Sequence, residues 1–136
     1  MDRIFQHYQG TIDAIKGAHF SCVKALEDSI DHDVILLWMR DDASQSWYRV
    51  FIDGAYCGID QYQEDESEQD NDDDVIYTDH SAWFQGKVLE SATVFFLNRP
   101  NEHLLLLLDF GQYECKLLCR SENGACELQF NALTNA

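Results

Sequence analysis

Residues Thr11 to Ile30 read TIDAIKGAHFSCVKALEDSI, and the folding of this stretch decides the class of the whole chain. Its stripe positions, Ile12, Ile15, His19, Cys22, Leu26 and Ile30, recur every three or four residues, a spacing that lines one face of an α-helix. Thr11 stands where an N-cap belongs, and Asp13 suits the positive end of the helix dipole. Gly17 costs such a helix about 1 kcal/mol relative to alanine. Met1 to Gln9 reads as a shorter preceding helix that Gly10 ends.

Downstream the period changes. Val34 to Met39 is a continuous apolar run bounded by charge, too short for a typical helix, and reads as a strand buried on both faces. Trp47 to Ile52 is aromatic and β-branched, Asp53-Gly54 is a hairpin dipeptide, and Ala55 to Tyr62 is the returning strand. Asp79 to Gly86 reads as a short helix, and Lys87 to Leu97 as a strand before the turn Asn98-Arg99-Pro100-Asn101. Leu104 to Leu108 is the candidate central strand. Tyr113, Cys115, Leu117 and Cys119 alternate with polar or outward positions, and Asn123-Gly124 turns the chain into Cys126, Leu128 and Phe130. The expected fold is α+β: N-terminal helices packed on an antiparallel sheet of about six strands. Its expected core contains Leu36, Trp38, Phe51, Phe95, Leu106, Leu117 and Leu128.

With 136 residues, 46% of them hydrophobic, and a single proline, residues 1–136 read as one domain able to bury roughly two-thirds of its unfolded surface. The start, Met1-Asp2-Arg3, lacks the basic flank and apolar run of a secretory signal, and no run is long enough to span a bilayer as a helix, which leads to a cytoplasmic expectation. Five irregularly spaced cysteines fit thiols kept reduced. The 9 Lys and Arg stand against 25 Asp and Glu. A formal charge of -16 repels nucleic acid and anionic membranes, so neither is an expected partner, and a basic protein is.

No catalytic, cofactor or metal site is assigned. Cys115 and Cys119 sit four residues apart, roughly 13 Å along a strand, whereas two sulfurs on one zinc lie within about 4.6 Å. They read as small buried hydrophobes, as does Cys126. His19 and Cys22 read as a core or boundary pair. Asp31-His32-Asp33 sets an imidazole between carboxylates and is the one hint of general-base chemistry, yet no nucleophile elbow, phosphate loop or H-E-x-x-H accompanies it. Asp109-Phe110-Gly111 reads as a strand end and turn. Asp70, Asp72 and Asp74 have alternate spacing, but Val75 occupies the place of the calcium-loop glycine and no Glu follows at the twelfth position.

Glu64 to Asp74 holds eight acids in eleven residues with no apolar side chain and reads as a mobile loop at about 63–75. Around it, Val50 to Gly86 is 37 residues without Lys or Arg. Without the eight the chain still carries 17 acids, so acidity belongs to the domain as a whole. Interleaved tyrosines complete the composition of a protein-binding face: Asp53, Tyr56, Asp60, Tyr62, Glu64, Asp65, Glu66, Glu68, Asp70, Asp72, Asp73, Asp74, Tyr77 and Asp79 are the candidate partner-binding residues. Trp83 also flanks the run and is assigned to the core rather than the surface.

Small size, acidity, an α+β frame and the missing catalytic signatures are together similar to the immunity proteins of bacterial toxin systems, including contact-dependent growth inhibition and secreted polymorphic toxins. The nearest local feature is Trp83-Phe84-Gln85-Gly86-Lys87 leading into two apolar strands. The resemblance implies a non-enzymatic inhibitor that binds a cognate basic toxin domain, often a nuclease. The alternative is a DNA mimic that occupies a nucleic-acid enzyme, of the anti-restriction or anti-CRISPR type.

Overall fold

A computed structural model describes residues 1–54, 56–67, 74–120 and 124–133. It overturns the α+β expectation: 61% of the described residues are strand and 4% helical, and no described helix reaches seven residues. Two antiparallel sheets face each other. The first has the order β1-β6-β5-β4-β3-β7, from Asp2–His7 (β1), Phe20–Asp28 (β3), Val34–Asp41 (β4), Trp47–Asp53 (β5), Tyr56–Tyr62 (β6) and Val75–Asp79 (β7). The second has the order β11-β10-β9-β8-β2, from Gly10–Thr11 (β2), Ser91–Arg99 (β8), Glu102–Asp109 (β9), Tyr113–Cys119 (β10) and Cys126–Ala132 (β11).

Neither expected N-terminal helix forms. Residues 2–7 are the edge strand β1, paired with β6. The Thr11–Ile30 stripe fails for a specific reason. Its buried positions are Ile12, Ile15, Ala18, Phe20, Val23, Ala25, Leu26 and Glu27, and a β-bulge between Phe20 and Cys22 inserts one residue into the ladder. An inserted residue lengthens a spacing of two to three, which imitates helical periodicity. Residues 12–18 are a tight connection that carries the chain from one sheet to the other. Ile12 N donates to Ala92 O at 2.8 Å and Gly17 N to Leu89 O at 2.8 Å. Gly17, with φ +87°, occupies the left-handed region that would have ended a helix there. β3 then pairs with β4 on one side and β7 on the other, so nonlocal hydrogen bonds replace the local ones a helix would have made.

The strands expected downstream form. β4, β5 and β6 are a meander, as are β8 to β11, and the Leu104–Leu108 run lies in β9, the middle strand of its sheet. The short helix before Gly86 is one turn, α1 (Ser81–Phe84). The core lies between the sheets, with Val23, Ala25, Leu37, Met39, Val50 and Ile59 facing Val94, Leu104, Leu106, Leu108, Cys115 and Leu117. Leu106, Leu117 and Trp38 are buried as expected, while Leu36, Phe51 and Leu128 are half-buried. Phe95 is not core: it points away on β8, 41% exposed, because its neighbour Val94 takes the inward position. β4 is buried on both faces at Leu37, Trp38 and Met39, while Ile35, inserted by a bulge between Val34 and Leu36, is exposed.

The outer face of the first sheet is also covered. Gly58 on β6 opposes Phe51 on β5, and a Cβ at position 58 would overlap the Phe51 ring. Gly58→Ala therefore displaces that ring and should lower stability by about 1 to 3 kcal/mol. An unchanged urea midpoint would show that the ring is free to swing aside.

Candidate functional site

The acidic residues singled out by composition fall into different environments. Strand pairing sets Asp79, Lys24, Trp38, Arg49, Asp60 and Arg3 in one row across the outer face of the first sheet. Asp60 is 0% exposed within this row, its carboxylate bound by Arg3 and by Arg49 Nη2 at 2.8 Å. Burial alone would raise its pKa, but the two guanidinium hydrogen bonds outweigh that and hold it below the ordinary 3.8. Arg49 also lies over the rings of Trp38, Phe51 and Tyr62, at 5.9, 5.8 and 5.5 Å. Asp60 and Tyr62 are thus engaged inside the protein, which removes Asp60 from any partner surface.

The acidic connection begins by folding back over the same face, because β6 lies second in the sheet and β7 last. Lys24 Nζ holds Asp65 Oδ2 at 3.1 Å and Ser67 Oγ at 2.7 Å, and Tyr77 donates its hydroxyl to Ser67 O at 2.6 Å. Glu64 is exposed and Glu66 half-buried. Glu68, Asp70, Asp72 and Asp73 lie outside the described residues. Asp79 accepts from Ser81 N at 2.8 Å at the start of α1. Tyr56 donates to Asp53 across the β5–β6 turn at 3.2 Å.

What the fold does assemble is an acidic end. In a meander alternate turns share one end, so the β3–β4 turn, the β5–β6 turn and the start of β7 lie together. They bring Asp28, Asp31, Asp33, Asp53 and Asp74 to one rim of the first sheet. Ser29 N donates to Asp74 O at 3.0 Å, tying β7 to the turn. Asp28 organises that turn through hydrogen bonds from Asp31 N and Ile30 N, which hold its carboxyl below the usual range. His32 completes it in the left-handed region, φ 60°.

A pocket of about 410 Å³ opens beside this rim, between the β3–β4 turn and β11. Glu27 forms its floor. Its side chain continues the inward alternation of Val23 and Ala25 along β3 and is only 10% exposed. Glu27 Oε1 accepts from Thr78 Oγ1 at 2.9 Å and faces His32 Nδ1 at 3.3 Å. His80 Nε2 stands 3.7 Å from Glu27 Oε2, buried and without a hydrogen-bond partner among the described residues. Asp31, Asp33 and Glu127 complete four carboxylates in the lining against one guanidinium, Arg120, which Glu127 already holds at 2.6 Å. Such a lining favours a cation. His80 was missed by sequence reading because a histidine 53 residues from Glu27 shares no motif with it. The Asp31-His32-Asp33 triplet was noticed, and the structure gives it this surrounding.

Cys126 is the one nucleophile-bearing side chain in the lining, and hydrogen bonding to Cys119 together with burial keeps it as a thiol. Among the described residues no group of three His, Cys, Asp or Glu side chains is arranged to hold a metal. Among the described residues no helix is long and apolar enough to cross a membrane. Comparison with protein-family models, curated proteins and solved structures returns no match, so the site rests on its own geometry.

Proposed function

We propose that this chain is a non-enzymatic immunity protein that binds and neutralises a basic toxin domain through the acidic end of its sandwich. The observation that carries the reading is how the bases are used. Arg3, Lys24, Arg40, Arg49, Arg99, Lys116 and Arg120 are in ion pairs with acids of the same chain, and Lys87 lies over Trp83 and Tyr113. The excess of acid is left to face outward, and the β3–β4 turn concentrates it around a pocket. A guanidinium or ammonium from a basic partner is the side chain best matched to carboxylates at Asp31, Asp33 and Glu27. The binding face is therefore placed at the rim of Asp28, Asp31, Asp33, Asp53 and Asp74 rather than across the whole 53–79 stretch.

Exposed charges act chiefly on encounter, accelerating association toward 10⁸ per molar per second or more from roughly 10⁵ to 10⁶. The test is to isolate the partner that copurifies from the native host and to follow association by stopped flow. The triple variant Asp31→Asn, Asp33→Asn and Asp74→Asn leaves the turn-forming Asp28 intact. It should associate about tenfold more slowly at low salt and lose most of its dependence on ionic strength. An unchanged rate would move the interface elsewhere. A partner whose toxicity this chain suppresses in cells supports the immunity reading, whereas a restriction or CRISPR enzyme as partner establishes the DNA-mimic alternative.

A further inference from the structure

The β10–β11 hairpin, which forms one wall of the acidic pocket, carries two thiols face to face. Cys119 and Cys126 are direct register partners. Arg120 N donates to Ala125 O at 2.9 Å and Leu133 N to Gln112 O at 2.7 Å, which marks both ends of this ladder as hydrogen-bonded pairs. Counting by twos from either end makes Cys119–Cys126 a non-hydrogen-bonded pair. At such a pair the Cα atoms are about 4.5 Å apart and the side chains closest, inside the roughly 4.4 to 6.8 Å that a disulfide spans. Both side chains are buried, and each sulfur lies 3.9 Å from the same acceptor, Gly124 O. No other cysteine has a thiol opposite it: Cys115 opposes Phe130 and Leu108, Cys57 opposes Ile52 and His7, and Cys22 opposes Arg40.

Both residues border open space, Cys126 on the acidic pocket. Cys119 lines a pocket of about 160 Å³ with Ile52, His103 and Arg120. That space admits an oxidant little larger than water, whose share of liquid volume is about 30 Å³.

We propose that Cys119 and Cys126 form a peroxide-sensitive thiol pair that closes into a disulfide across the hairpin. The Cys119 thiolate attacks hydrogen peroxide, forming an S–O bond as the O–O bond breaks and hydroxide leaves to take up the thiol proton as water. The Cys126 sulfur then attacks Sγ of the Cys119 sulfenic acid, forming the S–S bond as hydroxide leaves with the second proton. Two thiols and one peroxide give one disulfide and two waters. Cys119 is assigned as the attacking sulfur because it lines the 160 Å³ pocket, and the lowering of its thiol pKa points the same way. Closure fixes the strand pair from which Arg120 and Glu127 line the acidic pocket, and it stands independently of the partner proposed above.

The test uses the reduced full chain, stepwise hydrogen peroxide, alkylation, and peptide mapping without reductant. Trypsin cleaves after Arg120, between the two cysteines, so a link appears as two joined peptides. The expected result is loss of two of the five alkylatable thiols, a mass lower by two hydrogens, the Cys119–Cys126 joined pair, and reversal by dithiothreitol. Cys126→Ser removes the resolving sulfur and should leave a sulfenic acid at Cys119 that dimedone traps. Half-buried Cys22 has no opposed thiol and serves as an internal control. The proposal is overturned if Cys119 and Cys126 both remain alkylatable after Cys22 is fully oxidised, or if Cys119 links to Cys57 instead. The wild-type map decides the matter even if Cys126→Ser does not fold.

Discussion

Phe84→Ala lowers the free energy of unfolding by about 3 to 5 kcal/mol, a large share of the 5 to 15 kcal/mol that holds a domain of this size together. Phe84 belongs to the single-turn helix α1 and is fully buried. Its ring meets Phe20 of β3 at 6.2 Å, Phe130 of β11 at 6.0 Å, Phe110 after β9 at 5.7 Å and its neighbour Trp83 at 4.9 Å, all at steep angles. Edge-to-face pairs of this kind add to the area buried. Phe20 comes from one sheet and Phe130 from the other, so the ring joins the two layers, and neither layer can close over the space it leaves without parting from the other. Urea denaturation of the variant checks this. A loss below about 1 kcal/mol would mean that Trp83 collapses into the site and that α1 is a cover rather than a pin.

Asp60→Ala is expected to cost about 3 kcal/mol, through a different mechanism. The substitution removes the one anion between Arg3 and Arg49 and leaves two cations facing each other beneath Phe51. Breaking a buried pair from one side costs about 3 to 5 kcal/mol, and the lower figure applies because the arginine side chains are 33% and 28% exposed and regain water. The pH dependence carries the same signature. The folded pKa of Asp60 lies below its ordinary 3.8, so the stabilisation it provides is fully present above that value and disappears as pH falls through the folded pKa. Asp41 behaves likewise: burial opposes ionisation, but hydrogen bonds from Ser44 Oγ, His19 N and Ala43 N prevail. Wild-type stability should therefore fall steeply below about pH 4, and the difference between wild type and Asp60→Ala should narrow over the same range. A difference that stays constant from pH 7 to pH 2 would show that the loss is packing beneath Phe51 and not charge.

The parts of the fold legible in sequence were those whose signals are local. Val34–Met39, Trp47–Ile52 and the alternating Tyr113–Cys119 each show strand composition within a few residues, and Asp53-Gly54 makes its hairpin without help from distant chain. The N-terminal third was misread because its information is not local. Phe20 and Val23 are three apart owing to a bulge, and whether that spacing means helix or bulged strand is settled only by β4 and β7, which flank β3 from later in the chain. The same limit applies to the site. Asp53 and Asp60 are alike as letters, but Asp60 is enclosed because β1 adds at the edge of β6 and brings Arg3 from 57 residues away.

Sequence by itself therefore determined the acidity of the domain and the strand runs of the two hairpin meanders, since these depend on composition and on neighbours a few residues apart. Tertiary structure alone decided that the chain is a two-sheet sandwich, that Asp60 is internal, and that Glu27, His32 and His80 meet at one pocket. It also set Cys119 opposite Cys126, although each had read only as an isolated core thiol. The reason is physical. A strand satisfies its backbone groups with partners remote in sequence, so which side chains share a face, and which charges are buried together, follows from the order and register of the strands.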